Sequence, residues 1–155
     1  GRDGRTTIFD WWSVASIRRL RKLIASGKYR TSSVSELVEN GLMKEEAELF
    51  LRFTEAVRFA AEDCSIRQGT TYDLCYCNMS SDGFDKNRHF VFLRDYEEHT
   101  LLIAANFSNR EAVMKLVIPE HAFEWMGIPK TEALHPGKVI EVKVQPMDGA
   151  IVTLI

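Results

Sequence analysis

Apolar and polar positions change period once along this chain. Over 13–27 the apolar residues Ile17, Leu20, Leu23 and Ile24 recur at three- and four-residue steps, with Arg18, Arg19, Arg21 and Lys22 on the opposite face. That spacing predicts an amphipathic helix. Ser13 is placed to cap its start, and Gly27 to end it in the left-handed conformation. A second, longer helix is predicted over 43–63, with Glu45, Glu46 and Glu48 in its first turns, where carboxylates favour the positive end of the helix dipole. Its apolar positions Leu49, Phe50, Phe53, Val57, Phe59 and Ala60 cover more than one stripe, so it calls for packing on more than one side. The stretch 29–42 between the helices is polar and serine-rich, with one short helical turn expected at 35–39.

From about residue 70 the apolar residues alternate in short runs at 72–76, 89–93, 100–107, 112–118, 139–144 and 150–155. Period-two runs separated by turn residues predict an antiparallel β-sandwich. The fold class expected is therefore α+β, with N-terminal helices followed by an antiparallel all-β sandwich, and the boundary falls near 65–69, dividing 1–66 from 67–155. Residues 78–87 read as a loop, 95–99 as a tight turn and Asn109-Arg110 as another. A short helical segment is expected at 120–126 between Pro119 and Pro129. His135-Pro136-Gly137 leads into a last hairpin whose own turn is Pro146-Met147-Asp148-Gly149.

Composition narrows the classes. The 155 residues are 45% hydrophobic and 27% charged, the balance of a globular domain long enough to bury a core. A net charge of −2 provides no basic field for nucleic acid and no polybasic membrane surface, and no apolar run approaches the ~20 residues a membrane span needs. The basic residues at 18–22 read as a solvated helix face ahead of a phosphate or acidic-partner contact. Cys75 and Cys77 lie two apart on one predicted strand and Cys64 stands apart; with no histidine at zinc-ligand spacing, all three read as packing thiols. Asn78-Met79-Ser80 and Asn106-Phe107-Ser108 match the glycosylation sequon, a pattern common by chance.

Several strings resemble the C-terminal region of glycoside hydrolase family 13, the α-amylase family. They are Phe92-Leu93-Arg94, then Leu101-Leu102-Ile103-Ala104-Ala105-Asn106-Phe107-Ser108, then 113–119, closing on Ile118-Pro119, and the terminal 142–154. Upstream, 4–13 and the run Gly69-Thr70-Thr71-Tyr72-Asp73-Leu74 resemble the tail of the catalytic barrel in α-amylases of gut Bacteroidetes. The resemblance implies that 1–66 ends a (β/α)8 barrel, that 67–155 is the terminal sandwich, and that the parent cleaves α-1,4-glucans by the retaining route with two carboxylates. The family's arginine-x-aspartate nucleophile motif, strand-end acid glutamate and histidine-aspartate pair are not found here. The expectation is a non-catalytic piece whose partner is the barrel of its own parent chain, with no cofactor, no metal and no catalytic residue.

Candidate sites follow from side-chain chemistry. Asp82, Asp85 and Asn87 offer oxygen ligands for calcium, but at the spacing of no established loop, so a solvated turn is expected. Trp11, Trp12, Tyr96, Phe123 and Trp125 have the aromatic faces on which sugar rings stack; Trp125, beside a proline-bounded turn, is the sugar-binding candidate. His89 falls in a strand, while His99, His121 and His135 read as turn residues, and no nucleophile sits in a recognisable elbow. Three roles are open at this point: a sandwich that stabilises a catalytic barrel, an α-glucan-binding module, or a free-standing protein-interaction domain. The first predicts that, without the barrel, the long helix exposes Phe50, Phe53, Val57 or Phe59, and that the fragment self-associates or repacks 1–66 against the sandwich.

Overall fold

Helical spacing in the first part of the chain does become helices. The computed structural model describes residues 14–155, and the chain divides between Phe59 and Ala60 into two compact units. The first holds α1 (Ala15–Ala25), α2 (Val34–Glu39) and most of α3 (Lys44–Glu62). Val14 occupies the N-cap of α1 without a side-chain bond, and Ser13, the expected cap, lies outside the described residues. The helix ends as the spacing implies, with Gly27 at φ +71° donating its N–H to the Ile24 carbonyl. Ser33 caps α2 by accepting the Glu36 N–H.

Leu23, Leu37, Leu42 and Ala47 form the core of this unit, with Leu20, Tyr29, Val34, Phe50 and Leu51 packed around them. Arg19 reaches from α1 to Glu46 on α3 through two bonds, Nε–Oε2 at 2.8 Å and Nη2–Oε1 at 2.5 Å, and Glu46 also accepts the Met43 N–H at 2.9 Å. This fork, together with the N-terminal amide, holds the Glu46 carboxyl down to about 2.

The second unit carries α4 (Cys64–Gln68), β1 (Thr70–Asp73), a 3₁₀ turn (Tyr76–Asn78), β2 (His89–Tyr96), β3 (His99–Asn106), β4 (Ala112–Val117), α5 (Glu120–Met126), β5 (Val139–Val144) and β6 (Asp148–Thr153). The class is α+β, with helices followed by antiparallel sheets. Strands β1-β2-β3-β6 form one sheet in that order, and β4-β5 form another. The β2–β3 hairpin turns on Glu97 and Glu98, both at positive φ (49° and 65°), as a two-residue turn of primed type demands. Inward residues Val91 and Leu93 of β2, Leu102 and Ala104 of β3, Met114 and Leu116 of β4, and Val142 and Val144 of β5 all belong to one buried cluster, which Phe84, Ala122, Phe123 and Leu134 complete.

Two expectations fail, each for an identifiable reason. Cys75 and Cys77 do not share a strand, because Asp73 Oδ1 takes the Cys75 N–H at 2.8 Å and turns the chain into the 3₁₀ segment. Nor do the last two strands form a hairpin. β5 pairs with β4, Val142 opposite Met114, while β6 pairs with β3, Ile151 opposite Ile103. Pro146 has no N–H to continue a ladder, and Met147 at φ +52° swings the chain from one sheet to the other.

Arg94 holds α4 to the large sheet, donating to the carbonyls of Ser65 (2.9 Å) and Ile66 (2.6 Å) and to the Thr71 hydroxyl. From the same helix, Ser65 Oγ donates to the His99 carbonyl at 2.5 Å, and Asp63, the N-cap, meets His99 Nε2 at 2.9 Å.

Candidate functional site

Polar and aromatic side chains converge on the second unit where β1, the 3₁₀ turn and α5 meet. Alternation on β1 sends Tyr72 inward, 7% exposed, while Thr71 and Asp73 point out. One helical turn separates His121 from Trp125 on α5, so both lie on the same face. Tyr72 is the floor. Its ring centroid is 5.9 Å from Trp125, 5.9 Å from His121 and 6.2 Å from Tyr76, with planes tilted by 45° to 52°. The Tyr72 hydroxyl bonds both to the Tyr76 hydroxyl and to His121 Nδ1, the latter at 3.2 Å. Burial, and then the bond to Tyr76, raise the Tyr72 phenol above its ordinary value, so it stays neutral and its hydroxyl remains both donor and acceptor.

Around this floor is an open cleft of about 350 Å³ lined by Thr71, Tyr72, Asp73, Tyr76, His121 and Trp125. Tyr76 and Trp125 are each 54% exposed. The cleft therefore offers two aromatic walls, a carboxylate, an imidazole and a hydroxyl. Sequence reasoning singled out Trp125 but missed Asp73, Tyr76 and His121. The available signals were the four-residue steps Tyr72 to Tyr76 and His121 to Trp125.

The other candidates resolve differently. Phe123 is 2% exposed and is core, not a sugar platform, because it lies on the inward face of α5. Tyr96 ends β2. Trp11 and Trp12 lie outside the described residues. Asp82 pairs with Lys115 at 2.8 Å, which lowers its carboxyl, while Asp85 Oδ1 accepts the Asn87 N–H at 2.9 Å; the loop is held by these bonds. Among the described residues no group of three or more His, Cys, Asp or Glu is arranged to hold a metal.

Two of the histidines read as turn residues are placed elsewhere. His121 lies inside α5, since the segment bounded by Pro119 and Gly127 is helical, and His99 opens β3. His89 sits at the start of β2, where its Nδ1 accepts the Asp85 N–H at 3.0 Å and burial lowers its pKa. His135 Nδ1 lies 3.0 Å from the Pro136 carbonyl in an exposed turn. In the basic cluster, Arg19 is committed to Glu46.

Both sequon asparagines are buried and fully engaged. Asn78 Nδ2 donates to the Leu74 carbonyl (2.9 Å) and the Val117 carbonyl (3.0 Å), while its Oδ1 accepts the Val117 N–H and the Ser81 hydroxyl, each at 2.8 Å. The side chain thus acts as a strand partner for the edge of β4. Asn106 Nδ2 donates to the carbonyls of Arg110 (2.7 Å), Gln145 (3.1 Å) and Val144 (3.3 Å), and its Oδ1 accepts the Ser108 N–H at 2.9 Å. That side chain ties together the two connections that change sheets. Neither amide is available as a glycan acceptor in this fold.

Two apolar surfaces stand apart from the cleft. On the first unit, a groove of about 280 Å³ is lined by Ile17, Leu20, Leu42, Leu49, Phe50 and Phe53; Leu49, Phe53 and Val57 are 60%, 68% and 52% exposed. On the second, the face of the large sheet that points away from the buried cluster carries Phe92, Ile103 and Ile151 in one cross-strand row, with Phe90 and Ala105 in the next. Phe90 and Phe92 have ring centroids 5.4 Å apart, and Phe90 and Ile151 are each 45% exposed. No protein-family model matches this chain, and no curated protein matches it.

Proposed function

We propose that this chain is the C-terminal end of an α-amylase-type retaining hydrolase of α-1,4-glucans. In this reading 67–155 is an antiparallel sandwich that braces the catalytic barrel, and 1–66 is the tail of that barrel. The chemistry belongs to the parent's carboxylates, and this chain supplies packing free energy and domain orientation. The sandwich reading is supported by the buried cluster, to which β2 and β3 contribute from one sheet and β4 and β5 from the other.

The observation that carries the bracing role is the apolar outer face at Phe90, Phe92, Ile103 and Ile151. An antiparallel sheet with one face in a core ordinarily turns a polar face to water, so a second apolar face calls for a partner surface. The stripe Leu49, Phe53 and Val57 on α3 makes the same demand from the first unit. An inter-domain contact of on the order of 1,000 Å² has room for such faces. With the barrel absent, these surfaces drive self-association.

The test is the reading frame and its product. A frame running some hundreds of residues upstream of Gly1, carrying the arginine-x-aspartate motif, whose product cleaves soluble starch, is the expected result. A frame that starts close to Gly1, with an isolated chain that stays monomeric when concentrated and binds no hydrophobic dye, would overturn it in favour of a free-standing interaction domain.

A further inference from the structure

The cleft at β1 and α5 has no part in the bracing role, and its chemistry is specific. We infer that it is a binding subsite for a pyranose ring of an oligosaccharide, with the indole of Trp125 as stacking platform and Asp73, Tyr76 and His121 as hydroxyl partners. A pyranose presents an apolar C–H face and a rim of hydroxyls, each both donor and acceptor. It is held by an exposed aromatic face beside several short polar groups of mixed character, and the cleft combines these. Trp125 is 54% exposed although its ring packs against Tyr72 at 5.9 Å, so it is supported from behind and open in front. The supporting hydrogen bonds fix the polar partners in advance. Tyr72, buried and neutral, holds the Tyr76 hydroxyl on one side and His121 Nδ1 on the other, which leaves His121 Nε2 for a ligand. Asp73 is oriented by the Cys75 N–H on Oδ1, which leaves Oδ2 as an acceptor. An organic cation would use the aromatic walls and the carboxylate but not the hydroxyl and the imidazole.

The bracing role and this subsite stand or fall separately. The experiment is a titration of the full ¹⁵N-labelled chain with maltoheptaose, cellohexaose, xylohexaose and, as the cation probe, tetramethylammonium. The readout is the Trp125 indole N–H resonance, assigned by its loss in Trp125→Phe. The expected result is a saturable shift with at least one of the three sugars. Affinity in the variants, followed by isothermal titration calorimetry because Trp125→Ala has no indole to read, should fall about tenfold in Trp125→Ala and about threefold in Tyr76→Phe, a change that keeps the ring and removes one hydroxyl, with the fold of Tyr76→Phe retained by circular dichroism. A response to maltoheptaose supports the subsite and the α-glucan reading of the parent together. A response to cellohexaose or xylohexaose alone supports the subsite and counts against that parent. No indole shift with any sugar, a shift only with tetramethylammonium, or undiminished affinity in both variants would overturn the subsite while leaving the bracing role untouched.

Discussion

The two units solve the same burial problem with different resources. Among its described residues the helical unit has four buried hydrophobic side chains, Leu23, Leu37, Leu42 and Ala47, and leaves Leu49, Phe53 and Val57 half or more exposed. The β unit buries a cluster running from Tyr72 to Val144 and reinforces it with two asparagine side chains, Asn78 and Asn106, that make at least four hydrogen bonds each. Every buried side-chain polar atom among the described residues has a partner. Short helices gain most of their stability from tertiary packing, so the described helices of this unit depend on whatever covers the exposed apolar stripe of α3. The β unit buries the larger cluster, and its outer sheet face carries the cross-strand row of apolar side chains that asks for company.

That contrast can be broken by single substitutions. The largest effect is expected from Leu116→Ala in the β core, which should cost about 2–5 kcal/mol in urea unfolding and weaken the whole β unit. Leu37→Ala should instead abolish much of the helical circular dichroism while the aromatic near-ultraviolet signal of the β unit survives. Loss of both signals together would show that the units fold as one. Asn106→Ala should cost about 1–3 kcal/mol, because it strands three carbonyls and the Ser108 N–H at the sheet crossing.

Surface changes sharpen the comparison from the other side. Phe53→Glu should weaken self-association about tenfold in sedimentation equilibrium, equivalent to about 1.4 kcal/mol, without lowering the melting temperature. In acid, the helical unit carries a carboxyl held down to about 2, that of Glu46, against an ordinary 4.5. A carboxyl lowered in the folded state contributes stability that is fully present above its unfolded value. That contribution should therefore be complete above about pH 4.5 and lost as the pH falls towards 2, mainly through the fork to Arg19. Glu46→Gln should flatten the acid limb of the helical signal, and an unchanged limb would remove the Arg19 bond from the account. The smallest expected effect is a gain. Glu98→Gly relieves a left-handed residue at φ 65° and should stabilise the β2–β3 hairpin by about 1 kcal/mol.

Much of the secondary structure was legible because hydrophobic period alone dictates it. The helix expected over 43–63 appears as Lys44–Glu62, the strand over 139–144 as Val139–Val144, and the segment between the two prolines as Glu120–Met126. The last-hairpin expectation failed because neighbouring strands with compatible alternation can pair with each other or with distant partners, and alternation carries no record of which. Cys75 and Cys77 were misplaced because a single side-chain bond, Asp73 to the Cys75 N–H, outcompeted the strand ladder. For the candidate site, Trp125 stood out as an isolated aromatic, whereas Asp73, Tyr76 and His121 join it only through a contact spanning some fifty positions, of the kind seen between Tyr72 and His121.

By itself the sequence determined the class, helices first and antiparallel strands after, since period and turn chemistry are local properties of the backbone and its side chains. Tertiary structure alone decided three things. It set the pairing of β6 with β3 and of β5 with β4, the conversion of two sequon asparagines into internal staples, and the gathering of Tyr72, Tyr76, His121 and Trp125 into one cleft. Each depends on residues far apart in the chain meeting once the core has closed, where an unpaired polar group is costly and a paired one is held in place.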